Sequence, residues 1–421
     1  MRDLYEKTNV MRKISIFAAV AALLATGISC GKIGGDDLKN NPYKRMDLTT
    51  KSQQFVREGE VFTFNFIDRI NDATKGNYII SPLSMQFLLG MILNGAQGQT
   101  AGQICDVLGY GAGEVDAVNE YCLSMLQQLP SMDKKTKLNI ANAIFVDDGW
   151  PLKETYVSNV SRYYQAEVAN LDFSDGAGSL NTINGWCSKH TGGMIPKVLD
   201  KVDPEMLAYL LNAMYFKSEW KEKFKKSVTT DEDFTDESGA KSKVKMMKQE
   251  KKYQYQDNDV FQIVKIPYGN SVFSMIALLP TGGHTVSDIT EYLTTASWEE
   301  VRGSMVTCEV DLWLPKFETK FRINLNDILS GMGMPLAFDR ANADFKALSD
   351  YAESLRFVQQ DAIIKVDEEG SEAAVVSSAG FGKLTDAGPD DHVVFHADHP
   401  FLYLITESST GAVLFAGKYG G

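Results

Sequence analysis

Helical periodicity comes first along this chain, and strand-like runs come after it. Glu58 to Asn71 sets Val61, Phe62, Phe66, Ile67 and Ile70 at helical spacing. Ser84 to Asn94 reads as a strongly apolar helix, with Pro82 in the first turn after Ser81. Ser179 to His190 reads as another helix. Strands are expected at Met206–Phe216, Gln262–Ile266, Ser271–Leu279, Cys308–Leu314, Arg356–Lys365 and Phe401–Ile405. This order predicts a mixed α+β fold and argues against the regular βαβ alternation of a doubly wound nucleotide-binding domain. With 421 residues and 44% hydrophobic content, the chain is long enough to bury a large core.

Several kinds of chemistry are not expected. A net charge of -13 suits a solvated surface and makes nucleic acid a poor partner, because phosphate binding needs clustered Lys and Arg. The glycine-rich stretch Gly109-Tyr110-Gly111-Ala112-Gly113 ends in Glu114 where a dinucleotide fingerprint needs glycine, and it reads as a loop. His392, His396 and His399 flank an apparent strand, Val393-Val394-Phe395. At spacings of four and three they are expected on different faces, as surface histidines with no metal. No catalytic constellation and no cofactor are expected. Cys105, Cys122, Cys187 and Cys308 read as buried free thiols, too few for a disulfide scaffold.

The N-terminus reads as an export signal. Met11-Arg12-Lys13 is a short basic region, and Ile14 to Ile28 is an apolar run shorter than the roughly 20 residues of a transmembrane helix. Met11 is read as the true start. Gly27-Ile28-Ser29-Cys30-Gly31 is similar to a bacterial lipobox, which implies lipidation of Cys30. The expected organisation is 1–30 signal peptide, 31–50 polar tether and 51–421 a single domain. Several acyl chains on Cys30 would hold the protein at a membrane; the alternative is a plain secreted or periplasmic protein.

Blocks spread over 55–421 carry a family resemblance. Phe395 to Ile405, with Thr410-Gly411 and Leu414 to Lys418 after it, resembles the signature of the serpins, serine-protease inhibitors. Asn212 to Lys217 with Trp220 and Phe224 is similar to a second serpin block. Asn77, Ser81 to Ser84 and Gly95 to Thr100 are similar to a third. Ile183 to Trp186, Leu314 to Phe317 and Gly331 to Met334 with Phe338 add more, all in family order. The resemblance implies a fold of three β-sheets with eight or nine helices and an exposed reactive-centre loop between about Glu368 and Pro389. It implies a monomer that is not an enzyme and that traps a target protease covalently as a suicide substrate. The alternative is a non-inhibitory binding protein on the same fold.

Glu368, Glu369, Gly370, Ser371, Glu372, Ala373, Ala374, Val375, Val376 and Ser377 resemble the serpin hinge. Their chemistry fits a segment that becomes a strand. No proline occurs from Asp367 through Gly388, so no backbone donor is lost. On one phase Ser371, Ala373, Val375 and Ser377 would face inward, and none is charged. Family spacing puts the reactive bond at Leu384–Thr385, with Lys383 the main competitor and Phe381 a third choice. By resemblance, Ser81, Ser84 and Asn212 belong to the shutter beneath the main sheet and Trp220 to the breach where insertion starts. Gln360 stands where many serpins have a shutter histidine, so no pH-dependent shutter is expected. Ser371→Arg would put a charge on the inward phase. It is expected to convert inhibitor to substrate; an unchanged stoichiometry of protease complexes on a denaturing gel would refute the hinge reading.

Overall fold

The computed structural model describes residues 40–111, 113–371 and 392–421. Two hydrogen-bonded sheets and nine α-helices are found among them. The first helix, Thr50–Ala73, starts two turns before the apolar periodicity suggested. Thr49 caps it by accepting from the Ser52 N–H, and Phe55 extends its buried face to Ile70. Helix Pro82–Leu93 is buried along its whole length, and Ser81 caps it by accepting from the Ser84 N–H. Such a helix is apolar all round because it is covered all round; it contacts strands of both sheets, β4 (Ala208–Glu219) and β15 (Val413–Tyr419).

The six-stranded sheet has the order β10 (Phe317–Asn324), β11 (Gln359–Asp367), β12 (Gly370–Ser371), β4, β2 (Thr136–Asp147) and β3 (Glu167–Leu171). Neighbours are antiparallel except β2 and β3. The larger sheet runs β1 (Tyr78–Ile80), β15, β14 (Phe401–Glu407), β8 (Phe273–Pro280), β7 (Phe261–Pro267), β6 (Lys241–Asp257), β9 (Val306–Pro315) and β13 (His392–His396), with β5 (Thr230–Thr235) on β6. Two of the three expected sheets are thus continuous through β6. That strand pairs with β9 over Met246 to Tyr255 and with β7 over Gln254 to Asp257. Its lysines hid it from the sequence reading. Lys243 and Lys245 face water and pair with Asp233 and Asp231, while Val244 between them and Met246 after them are buried.

The histidine expectation needs correction. A strand repeats every two residues, so His392 and His396, four apart, share the outward face of β13. They meet different partners: His392 pairs with Glu250 at 3.0 Å, and His396 pairs with Asp311 at 2.9 Å while stacking on Trp313. His399 lies beyond the strand against Asp398 and the Pro280 carbonyl. Cys105, Cys122 and Cys187 are free thiols and, like Cys308, are buried. The end of the expected 31–50 tether is engaged with the domain. The Lys44 ammonium donates to the Ser131 carbonyl, the Asp47 N–H donates to Gln128, and Leu48 is buried. Among the described residues no helix is long and apolar enough to cross a membrane.

Strands of the larger sheet pack tightly at Gly417, which pairs with Tyr403 on one side and Ile79 on the other. A Cβ there would run into the Tyr403 ring and the Tyr78 carbonyl. Gly417→Ala is expected to cost about 1–3 kcal/mol, read as a lower urea midpoint.

Candidate functional site

Strands β11 and β12 form a tight hairpin whose turn is Glu368-Glu369. Seven polar contacts hold this turn. The Trp220 N–H donates to the Glu369 carbonyl at 2.9 Å, its indole N–H donates to the Asp367 carbonyl at 2.8 Å, and the Phe224 N–H donates to the Glu368 carbonyl at 3.0 Å. The indole is 2% exposed and stacks on Tyr268, ring centres 4.4 Å apart. Lys316 reaches one Glu368 oxygen at 2.9 Å, and Thr229 donates to the other at 3.0 Å. Lys223 and Lys226 hold Glu369 at 2.9 and 3.1 Å.

The charges respond accordingly. Burial opposes ionisation of Glu368, but hydrogen bonds from Lys316, the backbone and Thr229 outweigh it and keep its carboxyl below the usual range. Hydrogen bonds from Lys223 and then Lys226 lower Glu369 against a smaller burial cost. The sequence expectation of an exposed loop from Glu368 is therefore corrected. Glu368 is 5% exposed and Ser371 is 2% exposed, because the turn is clamped and Gly370 and Ser371 are already in a sheet.

Gly370 pairs with Glu219, and Ser371 with Ser218 on β4 and Val366 on β11. A Cβ on Gly370 would meet the Ser218 carbonyl, so only glycine fits this close approach. The Ser371 hydroxyl turns inward and shares a hydrogen bond with the Tyr268 hydroxyl at 2.7 Å. Below this point no backbone pairing joins β4 to β11 among the described residues; both are joined to β12 instead. Three cavities follow the gap in line. One of about 20 Å³ lies between Met214 and Ile364. A second of about 50 Å³ lies between Asn212 and Gln360. A third of about 450 Å³ lies between Leu210 and Phe357 at the foot.

Ser81, Ser84, Asn212 and Gln360 come together beneath the gap. Gln360, on β11, accepts from the Ser81 N–H at 3.0 Å and donates to the Ser81 carbonyl at 2.9 Å. Ser84 donates to Asn212 on β4, and Asn212 donates to Asn142 on β2 at 2.7 Å. The Ser81 hydroxyl donates to the Leu414 carbonyl at 2.6 Å. One helix N-terminus is thus bonded to both edges of the gap and to the second sheet. Sequence reasoning missed Asn142, Tyr268, Lys316, Lys223 and Lys226. Lys316 had a signal, since it sits inside the Leu314-Pro315-Lys316-Phe317 block, but pairing a lysine with a carboxylate 52 residues away needs the fold. Glu372, Ala373, Ala374, Val375, Val376, Ser377, Phe381, Lys383, Leu384 and Thr385, together with Cys30, lie outside the described residues.

These features define a protein whose main sheet has two inner edges bridged by the first rungs of a strand leading into residue 372. The chain belongs to the serpin family: the description Serpin (serine protease inhibitor) matches residues 58–420. Members of this family are in general protease inhibitors, not catalytic enzymes, and typically form covalent complexes with their targets. The chain is 31% identical to the leukocyte elastase inhibitor of Xenopus laevis over 85% of its own length and 97% of the relative's. Its fold is similar to native tengpin, a thermophilic serpin, with TM-score 0.80 and 29% identity over 90% of this chain and 97% of that one. Cleaved Serpin 42Da gives TM-score 0.79 and 25% identity over 88% and 99%.

The carboxylate clamp generates a pH prediction. Glu369 has its carboxyl lowered on folding, so its contribution is complete above the ordinary carboxylate range and fades as pH falls through about 4.3 and below. With its side chain 26% exposed, the contribution is expected at roughly 0.2–1 kcal/mol. Glu369→Gln should lower the urea midpoint at pH 7, and the gap from wild type should close on acidification below that range.

Proposed function

We propose that this protein inhibits serine-type proteases, and also cysteine-type ones, as a suicide substrate whose cleaved loop inserts between β4 and β11. The observation that carries this reading is the register of Gly370 and Ser371, already paired with both edges. Strand addition of this kind is established behaviour of serpins. A target protease attacks the carbonyl of Leu384, or of Lys383, and forms an acyl-enzyme with release of the downstream amine. The loop from residue 372 then extends β12, and the linked protease is carried along before water can release it. About a dozen new ladder hydrogen bonds, at a net of roughly 0.5–1.5 kcal/mol each, supply on the order of 10 kcal/mol before packing is counted. Small polar groups at Ser81, Ser84, Asn212 and Gln360 let the edges exchange partners as the strand enters.

Leu384 as the reactive residue suits elastase-, chymotrypsin- or subtilisin-like targets, and the relative named as an elastase inhibitor agrees with that choice. Lys383 suits trypsin-like targets. The proposed location is the bacterial cell envelope, with the protein exported and held by lipid on Cys30; its contact with the membrane is through that lipid alone. Incubation with a protease panel is expected to give a covalent band on a denaturing gel. Mass spectrometry of the released C-terminal peptide should begin at Thr385 or Leu384. Loop cleavage should also raise the melting temperature sharply. Cleavage with neither a covalent band nor a rise would leave a non-inhibitory serpin-fold protein.

A further inference from the structure

The largest of the three cavities, about 450 Å³, has the size and lining of a small-molecule site. Its volume falls within the roughly 300–1,000 Å³ of pockets that enclose organic ligands. The other two, at about 20 and 50 Å³, have room for a few waters at most. Leu88 and Ile92 of helix Pro82–Leu93 are buried in its lining. Leu207 and Leu210 line it from the β4 side, Leu355 and Phe357 from the β11 side. These last four pack against the apolar core yet are only half-buried, so apolar surface is left uncovered in the hollow. An apolar molecule that covered it would be favoured by the release of water.

The rim restricts the charge of such a molecule. Arg340 is paired with Glu353 at 2.6 Å, and Arg356 with Asp203 at 3.2 Å and Glu205 at 3.7 Å. Every charged residue in the lining is therefore already paired. A carboxylate or phosphate on the ligand would have to open one of these pairs and stand beside acidic groups. An ammonium would compete with an arginine for its carboxylate. Aromatic rings complete the site. Phe357 meets the Tyr209 ring at 5.8 Å between centres. Tyr351, 56% exposed, lines the cavity and meets Trp150, 41% exposed, at 4.9 Å, so this exposed pair marks the mouth. Rings of this kind suit a flat, uncharged partner.

We propose that the cavity is a binding site for an uncharged, largely apolar small molecule with ring systems, entering past Tyr351. The assignment stands on the cavity and its rim, and binding here does not depend on the insertion reading above.

The probe is N-phenyl-1-naphthylamine, an uncharged apolar fluorophore, compared with its sulfonated relative 8-anilino-1-naphthalenesulfonate. The full chain is expected to bind the uncharged probe saturably with blue-shifted emission, and the sulfonate about tenfold more weakly. Emission that rises without saturation, or equal affinity for the two probes, overturns the proposal. Leu210→Trp fills the hollow and should abolish the signal, while Val61→Ser, at an exposed position of the first helix, should leave it unchanged. Unchanged binding by a Leu210→Trp protein that keeps its near-ultraviolet circular dichroism overturns the placement. A second measurement serves even where that variant does not fold. Trp150→Phe should cut the tryptophan-sensitised emission of the bound probe more than Trp313→Phe, because Trp313 lies on β9 of the larger sheet. Equal losses for these two variants overturn the placement.

Discussion

Backbone hydrogen bonding along the facing edges of β4 and β11 is the constraint on which the rest of the structure depends. A strand inside a sheet needs a partner on each side, because unpaired N–H and C=O groups away from water are costly. Here β4 is paired outward to β2 and β11 outward to β10. Among the described residues, their inner edges share β12 alone. The clamp on Glu368 and Glu369, the glycine at 370 and the buried hydroxyl at 371 all serve one result, which is to deliver the chain into that gap in a single register.

The polar cluster under the gap has a different character from the apolar core around it. Ser81, Ser84, Asn142, Asn212 and Gln360 bond across four structural units: the two edges of the gap, the neighbouring strand β2, and the helix that contacts both sheets. Hydroxyl and amide groups of this kind each carry donors and acceptors, so a bond lost on one side can be replaced on another. A purely apolar contact here would hold the sheet with no such exchange. Gln360 performs its part without titrating, as a neutral amide bonded to both the N–H and the carbonyl of Ser81.

Legibility from sequence followed the physics of each element. Helix Pro82–Leu93 was readable because so strongly apolar a run favours burial. β6 was unreadable because its alternation is lysine against apolar residues, and its lysines are neutralised by β5, a pairing that exists only in the sheet. The start of the first helix was missed because its opening turns depend on the Thr49 cap and on Phe55, not on a repeating stripe. For the site, Ser81, Ser84, Asn212, Gln360 and Trp220 were reached through resemblance. Their partners Tyr268, Lys316 and Asn142 were not, because nothing local marks a residue whose counterpart is far along the chain.

By itself the amino-acid sequence determined the chemistry a loop strand would need: small uncharged residues on one phase, no proline, and a glycine before the first of them. Those are local requirements of backbone and burial, and they can be read residue by residue. Only the tertiary structure decided that Glu368 is buried, that it and Glu369 are clamped, and that two edges lie apart with room between them. It also decided that the room widens toward Leu210 and Phe357 at the foot of the gap. Each of these depends on strands brought together from distant parts of the chain, and a gap between two edges has no counterpart in the order of the residues.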